Sequence, residues 1–454
     1  MGPSSRWAPV LLAVALLLHG LVVLAVTRVP GRPDGPLLIT RIELSWLTYA
    51  LALLALAAVP LRRTVLVVAL VGAVLLVPAV LVEPQTSSDS YRYVWDGRVQ
   101  LAGVSPYRYV PDDEALRDLR EAYLWPQGPD GESQVGRSTV PTIYPPVAQA
   151  WFALVAAVFP TGTGGYGIRV MTALLGVGVT VLLGRLMRRT GQDPRWAAVW
   201  AWCPLVVFEA GNNAHVDVLS TALVVLGFAA LHGRRHVMAG VFLGLAVATK
   251  LVPLVVAPVF ARERPVRVGA GGLAAVALPY LPHLLAVGTL VVGFLPGYLS
   301  QEGYDGTRRF NLVRLLVPDA AAPWVAVSLG AVIALIAWRL ADPRRPWLVA
   351  TWLSGAAMLV VSPTYHWYTL TLVACVALSR RVEWLLLPAA IYAVYLAPDY
   401  YDSSSARLQV RLYSSVLAVV LAAAAVRHQR IIRLLPGRLR ESWRTRTAQA
   451  QRKT

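Results

Sequence analysis

Long apolar stretches alternate with short polar clusters along most of the chain. The clearest stretches approach the roughly 20 residues that a helix needs to cross the hydrocarbon of a bilayer. They cover 7–27, 44–61, 64–82, 170–186, 218–231, 324–340, 347–361, 384–396 and 412–426, and shorter or interrupted stretches cover 144–159, 196–208, 237–260, 268–281, 283–299 and 365–378. Because an isolated helix satisfies its own backbone in lipid, the pattern predicts an all-α, polytopic transmembrane helical bundle of about 12–14 spans.

The composition supports a membrane protein. Hydrophobic residues make up 57% of the 454 residues and the mean hydropathy is +0.57, above the roughly 45–50% apolar share of an ordinary globular domain. The first apolar stretch exceeds the roughly 7–15 residues of a signal-peptide core, so we expect a retained first helix. Cys203 and Cys375 both lie inside apolar stretches, which argues against a disulfide framework or a cysteine-based metal site.

The positive charges predict the orientation. Of the net charge of +18, the tail 427–454 carries nine Lys/Arg against one Glu. A basic tail after the last span is expected in the cytoplasm, lying on anionic lipid headgroups rather than binding nucleic acid. With Arg6, Arg62 and Arg63 also inside, three spans bring the chain to the extracytoplasmic face near residue 83.

This orientation divides the chain into four parts. We expect N-terminal transmembrane helices over 1–82, an extracytoplasmic loop over 83–143 (the first loop), a transmembrane core over 144–426 and a basic cytoplasmic tail over 427–454. Simple counting then places the basic cluster of Arg185, Arg188, Arg189 and Arg195 outside, against the positive-inside rule. Either one span is miscounted or the rule is broken locally.

The first loop holds most of the unusual chemistry. Between residues 83 and 140 lie ten of the chain's 24 Asp and Glu residues. Asp113 and Glu114 precede Leu116 and Leu119, which predicts a short amphipathic helix. The aromatic residues of the loop suit a belt at the headgroup level, and they also suit stacking against sugar rings.

Asp89 is the leading candidate for a general base. It follows the third span by a few residues and so lies at the boundary of water and lipid. A carboxylate there can take a proton from a hydroxyl that arrives from water, while an amphiphile arrives from the membrane. The alternative is one more solvated loop acid.

Three later groups also bring polar residues to the ends of apolar stretches. The run 209–217 contains Asn212, Asn213, His215 and Asp217, which predicts either a polar cavity or a structural arrangement of helix caps and a His–Asp pair. Lys250 interrupts an apolar run and either binds a phosphate or extends to the interface. Near the end of the chain, the candidates for neutralising a phosphate leaving group are Arg308, Arg309 and His366.

Asp89 is followed by an aromatic run, then by Gly103-Val-Ser-Pro-Tyr107, and the first loop ends at Tyr144-Pro-Pro. These motifs resemble those of the GT-C superfamily of polyprenyl-phosphate-sugar glycosyltransferases, and in particular actinobacterial mannosyltransferases. The groups around Asp217, Lys250 and His366 are similar to later motifs of that superfamily.

The resemblance implies an inverting transfer of a sugar, most simply mannose, from a polyprenyl monophosphate to a hydroxyl of a cell-envelope glycolipid, lipoglycan or glycan at the plasma membrane. It implies that Asp89 is the base, with Asp96 as its rival, and that no cofactor is required, with at most a weak dependence on divalent cations. It also implies that donor phosphate is bound by Lys250, Arg308, Arg309 and His366. The expected substrate cavity contains Tyr91, Arg92, Trp95, Tyr144, Asn212, Asn213, His215, Asp217, Tyr365 and Tyr368.

Other functions stay open at this point. Arabinofuranose or glucose would suit the same fold. A transporter would place its polar residues near the middle of the membrane in repeated halves, whereas here the acids gather in one loop and no internal repeat is visible.

Overall fold

A computed structural model describes residues 4–28, 36–59, 64–304, 309–397 and 403–434. All regular structure in these ranges is helical. The α-helices are α1 (Ser4–Thr27), α2 (Pro36–Ala57), α3 (Thr64–Val80), α4 (Asp89–Leu101), α5 (Pro146–Val158), α6 (Tyr166–Arg189), α7 (Ala198–Ala201), α8 (Pro204–Val206), α9 (Asp217–His232), α10 (His236–Val247), α11 (Ala257–Phe260), α12 (Pro265–Val287), α13 (Leu295–Gln301), α14 (Ala322–Leu340), α15 (Trp347–Val361), α16 (Leu370–Ser379), α17 (Leu386–Tyr395) and α18 (Ser403–Leu434).

The predicted polytopic helical bundle is confirmed. Within the described ranges, six helical segments are long and apolar enough to cross a membrane, at Trp7–Thr27, Leu37–Ala57, Tyr166–Arg189, Pro265–Gln301, Asp319–Leu340 and Ala406–Gln429. Seven apolar helices of 10–17 residues complete the bundle. The basic tail from 435 onward and Arg62 and Arg63 lie outside the described residues.

The basic cluster at the end of α6, together with Arg195 just after it, lies at the end of the bundle where α2 finishes. Arg195 donates from Nη1 to the carbonyls of Ala57 and Val59, both at 3.1 Å. At the opposite end of α6, Arg169 donates to the carbonyl of Val80 at 3.0 Å, so α6 runs antiparallel to α3. The miscounted span is therefore 144–159, where α5 has only 13 residues and packs against α4. With that correction, the arginine cluster and the end of α2 lie together, and the expected conflict disappears.

Helices α10 and α12 pack through glycines. A Cβ on Gly240 would collide with the carbonyl of Val268, and a Cβ on Gly244 would collide with the carbonyl of Gly272. Glycines four residues apart let helix backbones approach closely, which is a common way of packing helices in lipid.

The first loop folds around its own apolar core. Its main element, helix α4, was not predicted, and the predicted amphipathic helix is a short 3-10 turn at Glu114–Leu119 whose Leu116 is buried. Trp95 and Trp125 are each 1% exposed, with ring centroids 4.7 Å apart. The interpretation of such residues as a headgroup belt is therefore wrong for these two tryptophans, because they are buried inside the loop.

An irregular helix brings the second polar group to the first loop. The chain forms a π-helix at Val207–Asn212, and Ala214 follows it with a φ of +54°. π-helical turns and left-handed non-glycine residues cost energy and are frequent at functional sites. Here the two features direct Glu209, Asn213 and His215 toward the start of α4.

Candidate active site

Asp89 is the first residue of α4 and its carboxylate is partly exposed; the space that Asp89 borders together with Tyr144 and His215 is called the cleft below. Its side chain is 33% exposed, and Oδ2 accepts a hydrogen bond from the Tyr144 hydroxyl at 2.9 Å. Burial and the nearby carboxylate raise the pKa of Tyr144 well above its usual value, so this hydroxyl stays protonated and can donate. The Nδ1 atom of His215 lies 3.7 Å from the same Oδ2. Among the described residues Oδ1 has no hydrogen-bond partner, so it can accept a proton from a ligand.

Asp96 lies two helical turns further along α4 and is closed to solvent. It is 1% exposed, and Arg92 Nε donates to its Oδ1 at 2.8 Å. Its Oδ2 accepts from the Thr142 hydroxyl at 2.6 Å and from Gln149 Nε2 at 2.8 Å. Seven residues of α-helix rise about 10 Å, so the two acids do not form a chelating pair.

A buried carboxylate, Glu209, stands behind His215. It is fully buried, and its Oε2 lies 3.2 Å from His215 Nε2. His366 Nε2 lies 2.9 Å from Oε1, Asn213 donates to both oxygens at 3.0 and 3.1 Å, and the Tyr392 hydroxyl also donates to Oε1. These neighbours compensate a charge that would otherwise be costly to bury, and they connect Asp89 through His215 to the interior of the bundle.

The two asparagines tie the start of the first loop to this cluster. Asn212 accepts from the backbone of Gln85 at 2.9 Å and donates to the carbonyl of Glu83, also at 2.9 Å. Asn213 donates to the Thr86 hydroxyl at 2.6 Å. The alternative in which both asparagines cap the next helix is therefore wrong, because their side chains bind the segment that leads into α4.

Lys250 and Asp217 form a pair beside the cleft. Lys250 Nζ lies 3.1 Å from Asp217 Oδ2, so the structural alternative that paired Asp217 with His215 is wrong. The same ammonium lies 5.4 Å from the ring centroids of both Tyr144 and Tyr368. Lys250 is 12% exposed and shares Tyr144 with Asp89, so the cation and the candidate base line one site.

The late loops contribute aromatic rings and a carboxylate. Trp367 stacks on His215 with ring centroids 4.1 Å apart, and Tyr365 stacks on Trp367 at 4.7 Å. The Tyr365 hydroxyl donates to Glu302 at 2.7 Å, and Arg309 binds the same carboxylate at 2.5 Å. Arg308 lies outside the described residues.

Three of the expected cavity residues pack elsewhere. Tyr91 contacts the ring of Tyr123 at 5.5 Å, and Trp95 belongs to the loop core. Arg92 is buried and bonded to Asp96. The remaining cavity candidates named from the sequence surround or adjoin Asp89, Glu209 and Lys250. They are Tyr144, Asn212, Asn213, His215, Asp217, Tyr365 and Tyr368.

Sequence reasoning did not single out Glu302 or Arg137, and it included Glu209 in the run 209–217 without naming it as a site residue. Glu209 follows an apolar run, and an acid at membrane depth is by itself a signal of a functional or closely paired group. Glu302 and Arg137, which lie 3.3 Å apart, carry no such signal, because 165 residues separate them in the chain.

The family is shown by comparison of the sequence with known proteins. A family model for the N-terminal domain of alpha-(1->6)-mannopyranosyltransferases, of the MptA_B family, matches residues 37–263, which is half of the chain. The chain belongs to this family, and it is a membrane glycosyltransferase of the mannosyltransferase type. No curated protein and no solved structure gives a significant match.

Proposed function

We propose that this protein transfers mannose, with inversion, from a polyprenyl monophosphate to a hydroxyl of a cell-envelope glycolipid, lipoglycan or glycan. The observation that carries the proposal is the Asp89 carboxylate, which has one oxygen held by Tyr144 and one oxygen with no hydrogen-bond partner among the described residues. A general base needs this combination of fixed orientation and free access. Asp96 lacks the access, so Asp89 is the base.

The proposed reaction moves one proton and one sugar. The acceptor O–H bond breaks and its proton passes to Asp89 Oδ1, while the acceptor oxygen bonds to the anomeric carbon. The bond between that carbon and the phosphate oxygen breaks, and its electron pair stays on the phosphate. Positive charge near that oxygen stabilises the transition state. We assign this role to Lys250, which contacts the ring of Tyr144, the residue that holds the base.

The other two described candidates for phosphate binding have different roles in this proposal. His366 is fully buried and bonded to Glu209, and Arg309 is 2% exposed and bonded to Glu302. We assign to them the positioning of these two carboxylates. Tyr365 and Tyr368 would line the space for the sugar, since both lie beside these groups.

The proposed site faces the extracytoplasmic side of the plasma membrane. The first loop lies at the end of the bundle opposite the arginine cluster of α6, and basic clusters prefer the cytoplasm. A protease-protection or cysteine-labelling experiment with a single cysteine at Asp130, an exposed loop position, tests the side. Labelling from the cytoplasmic face alone would contradict this assignment.

We expect no cofactor and at most a weak dependence on divalent cations. The proposed charge stabilisation uses side-chain cations, so treatment with EDTA should change the initial rate by no more than about twofold. Removing a Lewis-acid metal that supplies several kcal/mol would instead lower the rate by orders of magnitude. A complete loss that Mg²⁺ or Mn²⁺ restores would contradict this prediction.

The function is tested with the purified full-length protein in lipid vesicles and defined donors. We expect transfer from β-configured polyprenyl-phosphate mannose to an α-1,6-mannan acceptor, with an α-linked product. Transfer only from the arabinofuranose or glucose donor would change the sugar and keep the reaction. No transfer from any polyprenyl-phosphate sugar, together with movement of labelled lipid across the bilayer, would replace the proposal with transport.

A further inference from the structure

The cleft is short of available positive charge. All three guanidinium nitrogens of Arg309 are engaged, Nη2 with Glu302 Oε2 at 2.5 Å, Nε with the Glu302 carbonyl at 2.7 Å and Nη1 with the Ser362 carbonyl at 3.3 Å. His366 is buried against Glu209, and Asp217 offsets part of the charge of Lys250. A lipid phosphate that gains negative charge on leaving needs donors that are still free to turn toward it.

Arg137 of the first loop has such donors. Its side chain is 41% exposed and contacts one acid among the residues that the structure describes, from Nη2 to Glu302 Oε1 at 3.3 Å. Glu302 is already paired with Arg309, so Arg137 adds a surplus positive charge. Among the described residues, Nε and Nη1 of Arg137 have no hydrogen-bond partner.

Arg137 and Lys250 lie on two sides of a pair of tyrosines. The guanidinium carbon of Arg137 is 5.0 Å from the ring centroid of Tyr298. The hydroxyls of Tyr298 and Tyr368 are 2.5 Å apart, and Lys250 Nζ is 5.4 Å from the ring centroid of Tyr368. Two cations and two hydroxyls therefore form one continuous chain of contacts, and Tyr144, which contacts Lys250, links this chain to Asp89.

The backbone at Arg137 is held in an unusual conformation. Its φ is +58°, a left-handed value that a non-glycine residue keeps only when its surroundings impose it. The imposing group is Arg92, which donates to the carbonyls of Arg137 at 3.3 Å and of Val140 at 3.1 Å. Arg92 is in turn fixed by Asp96 at 2.8 Å, so the buried ion pair determines where Arg137 stands.

We propose that Arg137 binds the phosphate of the polyprenyl donor together with Lys250, and that Asp96 and Arg92 are positioning residues for it. This inference rests on the proposed function. Nε and Nη1 donate to the non-bridging phosphate oxygens, and they stabilise the negative charge that grows when the bond to the anomeric carbon breaks. Arginine presents these donors in a planar fork that matches phosphate, which lysine cannot reproduce.

The test compares Arg137→Gln, Arg137→Lys and the parent as full-length proteins in vesicles. Initial rates are measured over a range of donor and acceptor concentrations. We expect Arg137→Gln to raise the donor KM by about tenfold to a hundredfold, as for a lost hydrogen bond to a charged group. The acceptor KM should stay the same, and Arg137→Lys should recover only part of the loss. Arg117→Gln is the matched control, because Arg117 belongs to the same loop and pairs with exposed Asp130; its donor KM should equal that of the parent.

Direct binding separates this inference from the proposed function. Binding of polyprenyl phosphate, without any sugar, is titrated with the same vesicles and needs no turnover. Weaker binding to Arg137→Gln than to the parent supports the inference even if the transferred sugar is not mannose. Three results would overturn the inference about Arg137: equal binding of polyprenyl phosphate to Arg137→Gln and the parent, no binding to the parent, or an equal rise of the donor and acceptor KM in Arg137→Gln.

Discussion

Helix α4 carries two aspartates whose surroundings differ completely. Asp89, at the start of the helix, has a 33% exposed side chain and one oxygen without a partner among the described residues. Asp96, two turns later, is 1% exposed and accepts hydrogen bonds from Arg92, Thr142 and Gln149. Two residues of the same type on one helix therefore have different roles. The exposed carboxylate of Asp89 can exchange a proton with a ligand, whereas the buried carboxylate of Asp96 holds its neighbours in place.

The largest expected effect is that of Asp89→Asn on transfer. The amide cannot accept the acceptor's proton, so the rate should fall about 10²- to 10⁴-fold, the usual contribution of a general base. The thermal unfolding temperature should stay close to that of the parent, because the carboxylate of Asp89 is partly exposed and accepts one hydrogen bond within the described part of the chain. The measurement is the initial transfer rate per folded protein in vesicles. A variant that keeps more than a tenth of the parent rate would remove Asp89 from the role of base.

Asp96→Asn should lower the stability of the protein, whereas Asp89→Asn should lower the transfer rate. The substitution leaves the charge of Arg92 buried without its partner, which typically costs about 3–5 kcal/mol. We expect a clear fall in the unfolding temperature, measured by intrinsic fluorescence in detergent, and a higher donor KM in the protein that remains folded. An unchanged unfolding temperature combined with a complete loss of transfer would make Asp96 the base and break the comparison.

The contrast between Asp89 and Asp96 also explains which parts of the structure the sequence could predict. Apolar stretches and basic clusters predicted the bundle, since lipid imposes one simple pattern on a spanning helix. Asp89 could be chosen because it stands at the end of a span and within a recognisable motif. Helix α4 was missed because it buries polar residues such as Ser90, Arg92 and Asp96, so it shows no clear apolar period.

Partners that are distant in the chain could not be predicted. Glu209 meets His366 across 157 residues and Tyr392 across 183 residues, and Arg137 meets Glu302 across 165 residues. A sequence shows the type of each such residue but not its distance from another, and only that distance distinguishes a free cation from a paired one. Arg309 and Lys250 therefore looked alike from the sequence, although Arg309 is enclosed by several partners, whereas Lys250 contacts Asp217 and lies beside Tyr144.

The smallest expected effect on transfer is that of Tyr144→Phe, which tests how much the fixed orientation of Asp89 contributes. Without the Tyr144 hydroxyl, the carboxylate of Asp89 loses the hydrogen bond that fixes its Oδ2, but it keeps its exposure to the acceptor. The initial transfer rate should therefore fall by only about twofold to tenfold, which corresponds to the usual net contribution of one hydrogen bond. Tyr109→Phe is the matched control in the same loop, and its rate should equal that of the parent. A loss as large as that of Asp89→Asn would mean that the Tyr144 hydroxyl takes part in the reaction itself, whereas an unchanged rate would mean that the access and exposure of Asp89 suffice without a fixed orientation.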